Sequence, residues 1–151
     1  MKLFALAALL ALPAIVSPVH AEPSPAQVRN GSTVPLSIRT PHRTVRFRVE
    51  VARTPDEQEL GLMYRKAMPA DHGMIFPMDP PRRASFWMRN TLIPLDMVFI
   101  RADGTISSII ANVPPLTLAT RDSTEPVAAV LELNGGAAAR AGIKAGDRVK
   151  W

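Results

Sequence analysis

Between Thr44 and Val51 the chain alternates strictly. Val45, Phe47, Val49 and Val51 fall on one side, and Arg46, Arg48 and Glu50 on the other. That period of two predicts a half-buried strand with one face on a core. The rest of the chain offers apolar runs of similar length broken by proline and glycine. Val34–Ile38 predicts a short edge strand. Met74–Phe76 and Ser85–Met88 predict short strands on either side of a stiff loop with Pro77, Pro80 and Pro81. Leu95–Ile100 and Thr105–Ile110 flank Asp103-Gly104, a hairpin signal. Val127–Leu133 and Arg148–Trp151 predict two more strands.

Two helices complete the pattern. Thr54 is placed as an N-cap, Pro55 at the first helical position and Glu57 three residues on, the elements of a capping box. Leu60, Met63 and Tyr64 lie at helical spacing, so this helix is expected to reach Arg65, with Gly61 allowing close approach to a neighbour. Gly135–Ala141 predicts an alanine-rich turn of helix that stops at Gly142. In Gly142–Val149, Gly146 is expected to take a turn conformation and Asp147 to accept from nearby amides. Many short strands with two short helices predict a compact α+β domain, β-rich and barrel-like. It is expected to span residues 34–151 as one unit.

The N-terminal segment carries an address. Lys2 precedes the apolar stretch Leu3–Leu12, and Val19 and Ala21 stand at the −3 and −1 positions of a cleavage site. These are the parts of a secretory signal peptide over 1–21, with the mature chain starting at Glu22 and located in a periplasm or outside the cell. Pro13 and Pro18 cut the apolar run below the roughly 20 residues a membrane span needs. Residues 22–33, polar and broken by proline, are expected to form a flexible leader.

Composition removes several function classes. No cysteine occurs anywhere in the 151 residues, so thiol chemistry, disulfides and cysteine-ligated metals are excluded. Loss of Lys2 with the signal leaves 17 basic against 13 acidic side chains, a net charge of +4. The basic residues are scattered and there is one tyrosine, which argues against nucleic-acid binding. His20 leaves with the signal, His42 precedes the main domain and His72 is read as a loop residue, so neither a histidine metal site nor a Ser-His-Asp triad is indicated.

The stretch from Val49 to Trp151 resembles the bacterial and archaeal family known as domain of unknown function 192. The resemblance is carried by Gly61-Leu62-Met63 with Arg65, by Gly73-Met74 with Phe76, and by Phe86-Trp87-Met88-Arg89-Asn90-Thr91. Ile93-Pro94-Leu95-Asp96, Asp103-Gly104, Leu131-Glu132-Leu133, Gly142-Ile143 and Gly146-Asp147 extend it. It implies a compact, barrel-like β-rich domain and no established activity.

The residues that carry candidate chemistry cluster around the tryptophan block. Asp96 sits in an otherwise apolar strand, where an unpaired carboxylate is costly, so it needs donors. Arg65, Arg89 and Asn90 are the candidates. Asp96 reads either as a structural tie or as part of a cleft. Trp87 reads either as core or as the floor of a pocket, with Asn90 and Thr91 supplying polar groups or capping a turn. The leading expectation is a monomeric, noncatalytic binding or accessory domain without cofactor. Its small polar or anionic ligand would meet Arg65, Trp87, Asn90, Thr91 and Asp96, with the Arg65 fork favouring an anion. Two rivals stand beside it. One is a hydrolase or lyase that divides acid and base roles between Asp96 and Glu132. The other is a copper(I) protein using thioethers from Met63, Met68, Met74, Met78, Met88 and Met97, residue types that also serve as ordinary core filler.

Overall fold

Nine strands and two short helices follow one another in this computed structural model, which describes residues 31–151. The signal segment and residues 22–30 of the expected leader lie outside the described residues. The strands are β1 (Thr33–Arg39), β2 (Thr44–Val51), β3 (His72–Arg82), β4 (Ser85–Phe86), β5 (Leu95–Ile100), β6 (Ile106–Val113), β7 (Arg121–Asp122), β8 (Val127–Asn134) and β9 (Arg148–Lys150). The helices are α1 (Pro55–Leu60) and α2 (Ala137–Ala141). Seven strands form one sheet in the order β6-β5-β8-β3-β2-β1-β9, and β4 with β7 forms a second, two-stranded sheet. All pairings are antiparallel except β2 with β3.

The barrel expected from the sequence is not closed. The sheet edges β6 and β9 meet only near an isolated bridge, Thr105 to Arg148. Backbone bonds from Ile106 N–H to Asp147 O and from Val149 N–H to Gly104 O, both 2.8 Å, hold that corner. β9 has three residues, too few to build a ladder along the eight of β6. β1 is also not an edge strand, because β9 covers its outer side over Ser37–Arg39.

Strand alternation divides the buried side chains into two cores. The first lies on one face and includes Ile38, Phe47, Val49, Ile75, Val98, Leu131 and Leu133, closed by Ala137 and Ala138 of α2. The second lies on the other and includes Met74, Phe76, Met78, Met88, Met97, Phe99 and Val130. β5 and most of β8 are buried on both faces, so their sequences read as continuous apolar runs rather than alternation.

Local chemistry follows the sequence closely at most turns. The Thr54 capping box forms as expected, with Glu57 N–H to Thr54 Oγ1 at 3.2 Å and Thr54 N–H to Glu57 Oε2 at 2.9 Å. The hairpin at Asp103-Gly104 also forms, with Gly104 at φ 83°. Asp147 accepts from Lys144 N–H at 2.8 Å, as its turn role requires. Two expectations fail. α1 stops at Leu60, not near Arg65, because Gly61 turns the chain at φ 46°, a conformation that suits glycine. β3 runs on through Pro77, Pro80 and Pro81 as a single eleven-residue strand, with an irregularity between Pro77 and Arg82 that absorbs the missing donors.

Asp96 joins the elements above the first core. It is fully buried, and its carboxylate accepts three backbone N–H groups: Asn112 at 2.7 Å, Gly136 at 2.8 Å and Ala138 at 2.8 Å. The donors expected from the sequence, Arg65, Arg89 and Asn90, are replaced by main-chain amides from β6 and from the start of α2. A burial this deep is sustained because both carboxylate oxygens are taken up by short backbone N–H bonds. Asp96→Ala should cost about 3 kcal/mol or more, since several donors lose their acceptor. Asp96→Asn should cost less, keeping one acceptor oxygen while turning an NH2 toward a donor. Urea unfolding of the two variants beside the wild type measures both; equal midpoints for all three would refute this role.

Candidate functional site

A cavity of about 430 Å³ opens between α1, β3, β4 and β8. Its apolar lining includes Leu62, Met63, Phe76, Met78 and Phe86, and its polar lining includes Gln58, Glu59, Arg82, Arg83, Thr91 and Glu132. Gly61 is what brings α1 to this wall: a Cβ there would stand 3.3 Å from Phe76 Cζ. Phe76 and Phe86 meet edge to face, with centroids 5.1 Å apart, and hold β4 against β3.

Glu132 is the unusual member. It lies in mid-β8, paired with Met74 on one side and Met97 on the other. It is 5% exposed. Its carboxyl has no hydrogen-bond partner among the described residues, and it lines the cavity. Burial pushes its pKa up to about 8, so the neutral acid is the main form at neutral pH. A protonated carboxyl in such a cavity can donate one hydrogen bond and accept others.

The sequence-derived site residues separate. Trp87 and Thr91 line the cavity. Trp87 is 45% exposed and carries the Arg89 guanidinium 5.4 Å from its ring centroid, so it is a wall at the surface rather than core. Thr91 is buried, its hydroxyl donating to Arg89 O at 3.3 Å. Asn90 does not line the cavity. Its Nδ2 donates to Tyr64 Oη at 2.9 Å and its carbonyl accepts from Tyr64 N–H at 2.8 Å. Asn90 at φ 55° and Tyr64 at φ 62° thus clasp the turn after α1 to the turn after Met88. Arg65 points elsewhere, into a bidentate pair with Glu50, Nη2 to Oε2 being 2.9 Å. It lines smaller cavities beside Gly31 and Glu50. Asp96 is committed to backbone amides and lines none of these cavities.

The acid–base pair of Asp96 and Glu132 is ruled out by strand parity. Asp96 pairs with Leu133 and Met97 pairs with Glu132. Paired residues share a face and neighbours along a strand do not. The two carboxyl groups therefore point to opposite faces of the sheet. The methionines of the copper reading are placed as packing: Met74, Met78, Met88 and Met97 are buried in the second core, Met68 packs against it, and Met63 is buried in the cavity wall. Among the described residues no three histidine, aspartate or glutamate side chains gather around a common point. No helix among them is long and apolar enough to cross a membrane.

Sequence reasoning missed Arg82 and Arg83 as cavity residues and gave Glu132 the wrong partner. The signal for Glu132 was present: a lone carboxylate between leucines in a strand apolar on both faces. Its face, and hence its cavity, depends on the pairing with β3 and β5.

The open β-sheet and its carboxyl-floored cavity define a small β-rich domain with a buried glutamate at the base of a pocket of mixed lining. The chain belongs to the domain of unknown function 192 family, described as Uncharacterized ACR, which matches residues 37–151. The match includes the last three residues of β1 and all of β2, more than the stretch that first suggested it. Two solved structures are similar. One, from Sinorhizobium meliloti 1021 and described as a proposed transcription regulator, is 45% identical with a TM-score of 0.77; the alignment covers 81% of this chain and 97% of that one. The other, a protein of unknown function from Novosphingobium aromaticivorans DSM 12444, is 39% identical with a TM-score of 0.78; it covers 88% of this chain and 100% of that one. No curated protein matches.

The raised pKa of Glu132 has a stability signature. In the unfolded chain this group ionises near the ordinary glutamate value of 4.5, and in the folded chain near 8. Between those values the folded state holds a proton that the unfolded state has lost. Stability relative to Glu132→Gln should therefore be highest below pH 4.5 and fall as pH rises to about 8, by up to about 1.4 kcal/mol per pH unit. Thermal melts of both proteins from pH 4 to 9 test this. Parallel curves would mean that the carboxyl is ionised in the folded protein.

Proposed function

We propose that this chain is an exported, noncatalytic binding domain that acts as a monomer in the periplasm or outside the cell. Its site is the cavity floored by Glu132. The observation that carries the reading is that carboxyl group: buried, unpartnered among the described residues and facing a cavity with Arg82, Arg83 and Glu59 in its wall. A polar group in that position is costly unless a ligand or water completes its hydrogen bonds. The ligand that fits is small, with an anionic group toward the arginines and a hydrogen-bonding atom reaching Glu132. Trp87 offers its face to the body between them. Export is supported by the pattern of residues 1–21. Scattered basic residues support a role without nucleic acid, although the Sinorhizobium meliloti relative is described as a proposed transcription regulator.

A second reading draws on the same group. A neutral carboxyl at neutral pH is suited to general-acid work. The absence of Asp96 from this face favours binding, because the partner for dividing acid and base roles is lost.

A fragment screen of small organic anions, read by thermal shift and by tryptophan emission, tests the proposal. Hits should lose about tenfold in affinity in Glu132→Ala, in line with the roughly 1.4 kcal/mol of one lost hydrogen bond, and a comparable amount in Trp87→Ala. Glu132→Gln should retain most of the binding. Turnover of a hit, abolished in Glu132→Gln while binding persists, would favour the enzyme. Hits indifferent to both positions would remove the site altogether.

A further inference from the structure

Beside the mouth of the Glu132 cavity, four large apolar side chains stand in solvent. Trp87 is 45% exposed, Leu92 41%, Leu116 60% and Leu118 66%. They form one surface, because backbone bonds join the two segments that carry them. Met88 N–H donates to Thr117 O at 2.9 Å and Leu116 N–H to Thr91 O at 3.1 Å. The pairing of Phe86 with Arg121 continues the contact.

Leu116 is held at φ 61°. That conformation is uncommon for a residue with a Cβ and costs free energy. The backbone bond to Thr91 holds the segment in this conformation. The side chain is directed outward, so the conformation presents an apolar group to solvent without packing it on the described chain.

The charge around these residues identifies the partner. Residues 82–92 and 114–121 carry four arginines, Arg82, Arg83, Arg89 and Arg121, and no aspartate or glutamate; Asp122 is the first carboxylate beyond them. Leucines and a tryptophan projecting from loops among arginines match the boundary of an anionic bilayer. There, apolar tips enter the acyl layer, indole sits at the headgroup level and guanidinium groups meet lipid phosphates. A rigid protein partner would need a matching pocket for each protruding leucine; a fluid interface needs none.

We propose that the surface formed by Trp87, Leu92, Leu116 and Leu118 docks onto an anionic lipid bilayer, with the neighbouring arginines on its headgroups. This goes beyond the ligand reading and does not depend on it. Docking sets the cavity mouth, where Arg82, Arg83 and Trp87 lie, against the membrane surface.

The test uses the full chain with Trp151→Phe, which leaves Trp87 as the one tryptophan. It is mixed with vesicles of equimolar phosphatidylglycerol and phosphatidylcholine that carry brominated acyl chains. Trp87 emission should shift to the blue and be quenched, less so at high salt and far less on pure phosphatidylcholine. Leu116→Ser with Leu118→Ser should weaken the partitioning by about tenfold or more. Both leucines are exposed, and an unchanged far-UV spectrum verifies the fold of the variant. Association with vesicles without quenching of Trp87 would overturn the proposal, since it would place the contact elsewhere, for instance on the apolar stretch Leu3–Leu12. Undiminished quenching in the serine variant would overturn it as well. No cavity ligand is present in the experiment, so its outcome is independent of the outcome of the fragment screen.

Discussion

A single buried carboxylate determines how one edge of this sheet and the second helix fit together. Asp96 lies in a strand that is buried at all six positions, yet it is fully satisfied by three main-chain donors. One donor belongs to β6, the neighbouring strand; the other two flank the start of α2. A helix of five residues cannot sustain itself by its own hydrogen bonds. Anchored by Asp96, it instead lays Ala137 and Ala138 onto the first core. The left-handed Gly136 and Gly142 at either end let the chain enter and leave within a few residues.

Glu132 presents the opposite case within the same sheet. It is one residue from Leu133, the strand partner of Asp96, and alternation sends it to the other face. No amides wait for it there. It is surrounded by Met74, Met97 and the cavity, and it responds by holding its proton. Two carboxylates in adjacent, equally buried strands thus differ in kind. One is an acceptor of backbone bonds that ties elements together. The other is a neutral hydrogen-bonding group at the floor of a cavity. The difference arises from donors, since both groups are removed from water to a similar degree.

The second sheet matters because it builds the cavity wall at low cost in structure. β4 and β7 have two residues each. They are secured by Phe86 packing on Phe76, and by Ser123, whose hydroxyl accepts from Ala84 N–H at 2.9 Å and donates to Glu125 O at 2.7 Å. This small assembly carries Trp87 outward and continues into the segment held against residues 116 and 117. The open sheet leaves room for it: a closed barrel would have covered its core with strands of its own.

Local features could be read from the sequence because they depend on neighbours in the chain. The β2 alternation, the Thr54 capping box, the Asp103-Gly104 hairpin, the αL stop at Gly142 and the Asp147 turn are decided within a few residues each. The need of Asp96 for donors was also legible, as was the family, from the ordered block around Trp87 and the turns that follow. What required the tertiary structure was every question of who meets whom. The donors to Asp96 are backbone amides, and a backbone amide has no sequence signature. Arg65 went to Glu50 and Asn90 to Tyr64, choices set by the path of the chain after Gly61. The separation of Asp96 from Glu132 came from strand register, in which a shift of one residue exchanges faces. Residue types and short-range periodicity therefore determined the elements and the carboxylates in need of explanation. Only the pairing of distant strands, a long-range constraint absent from local pattern, decided that one carboxylate holds the fold and the other faces the cavity.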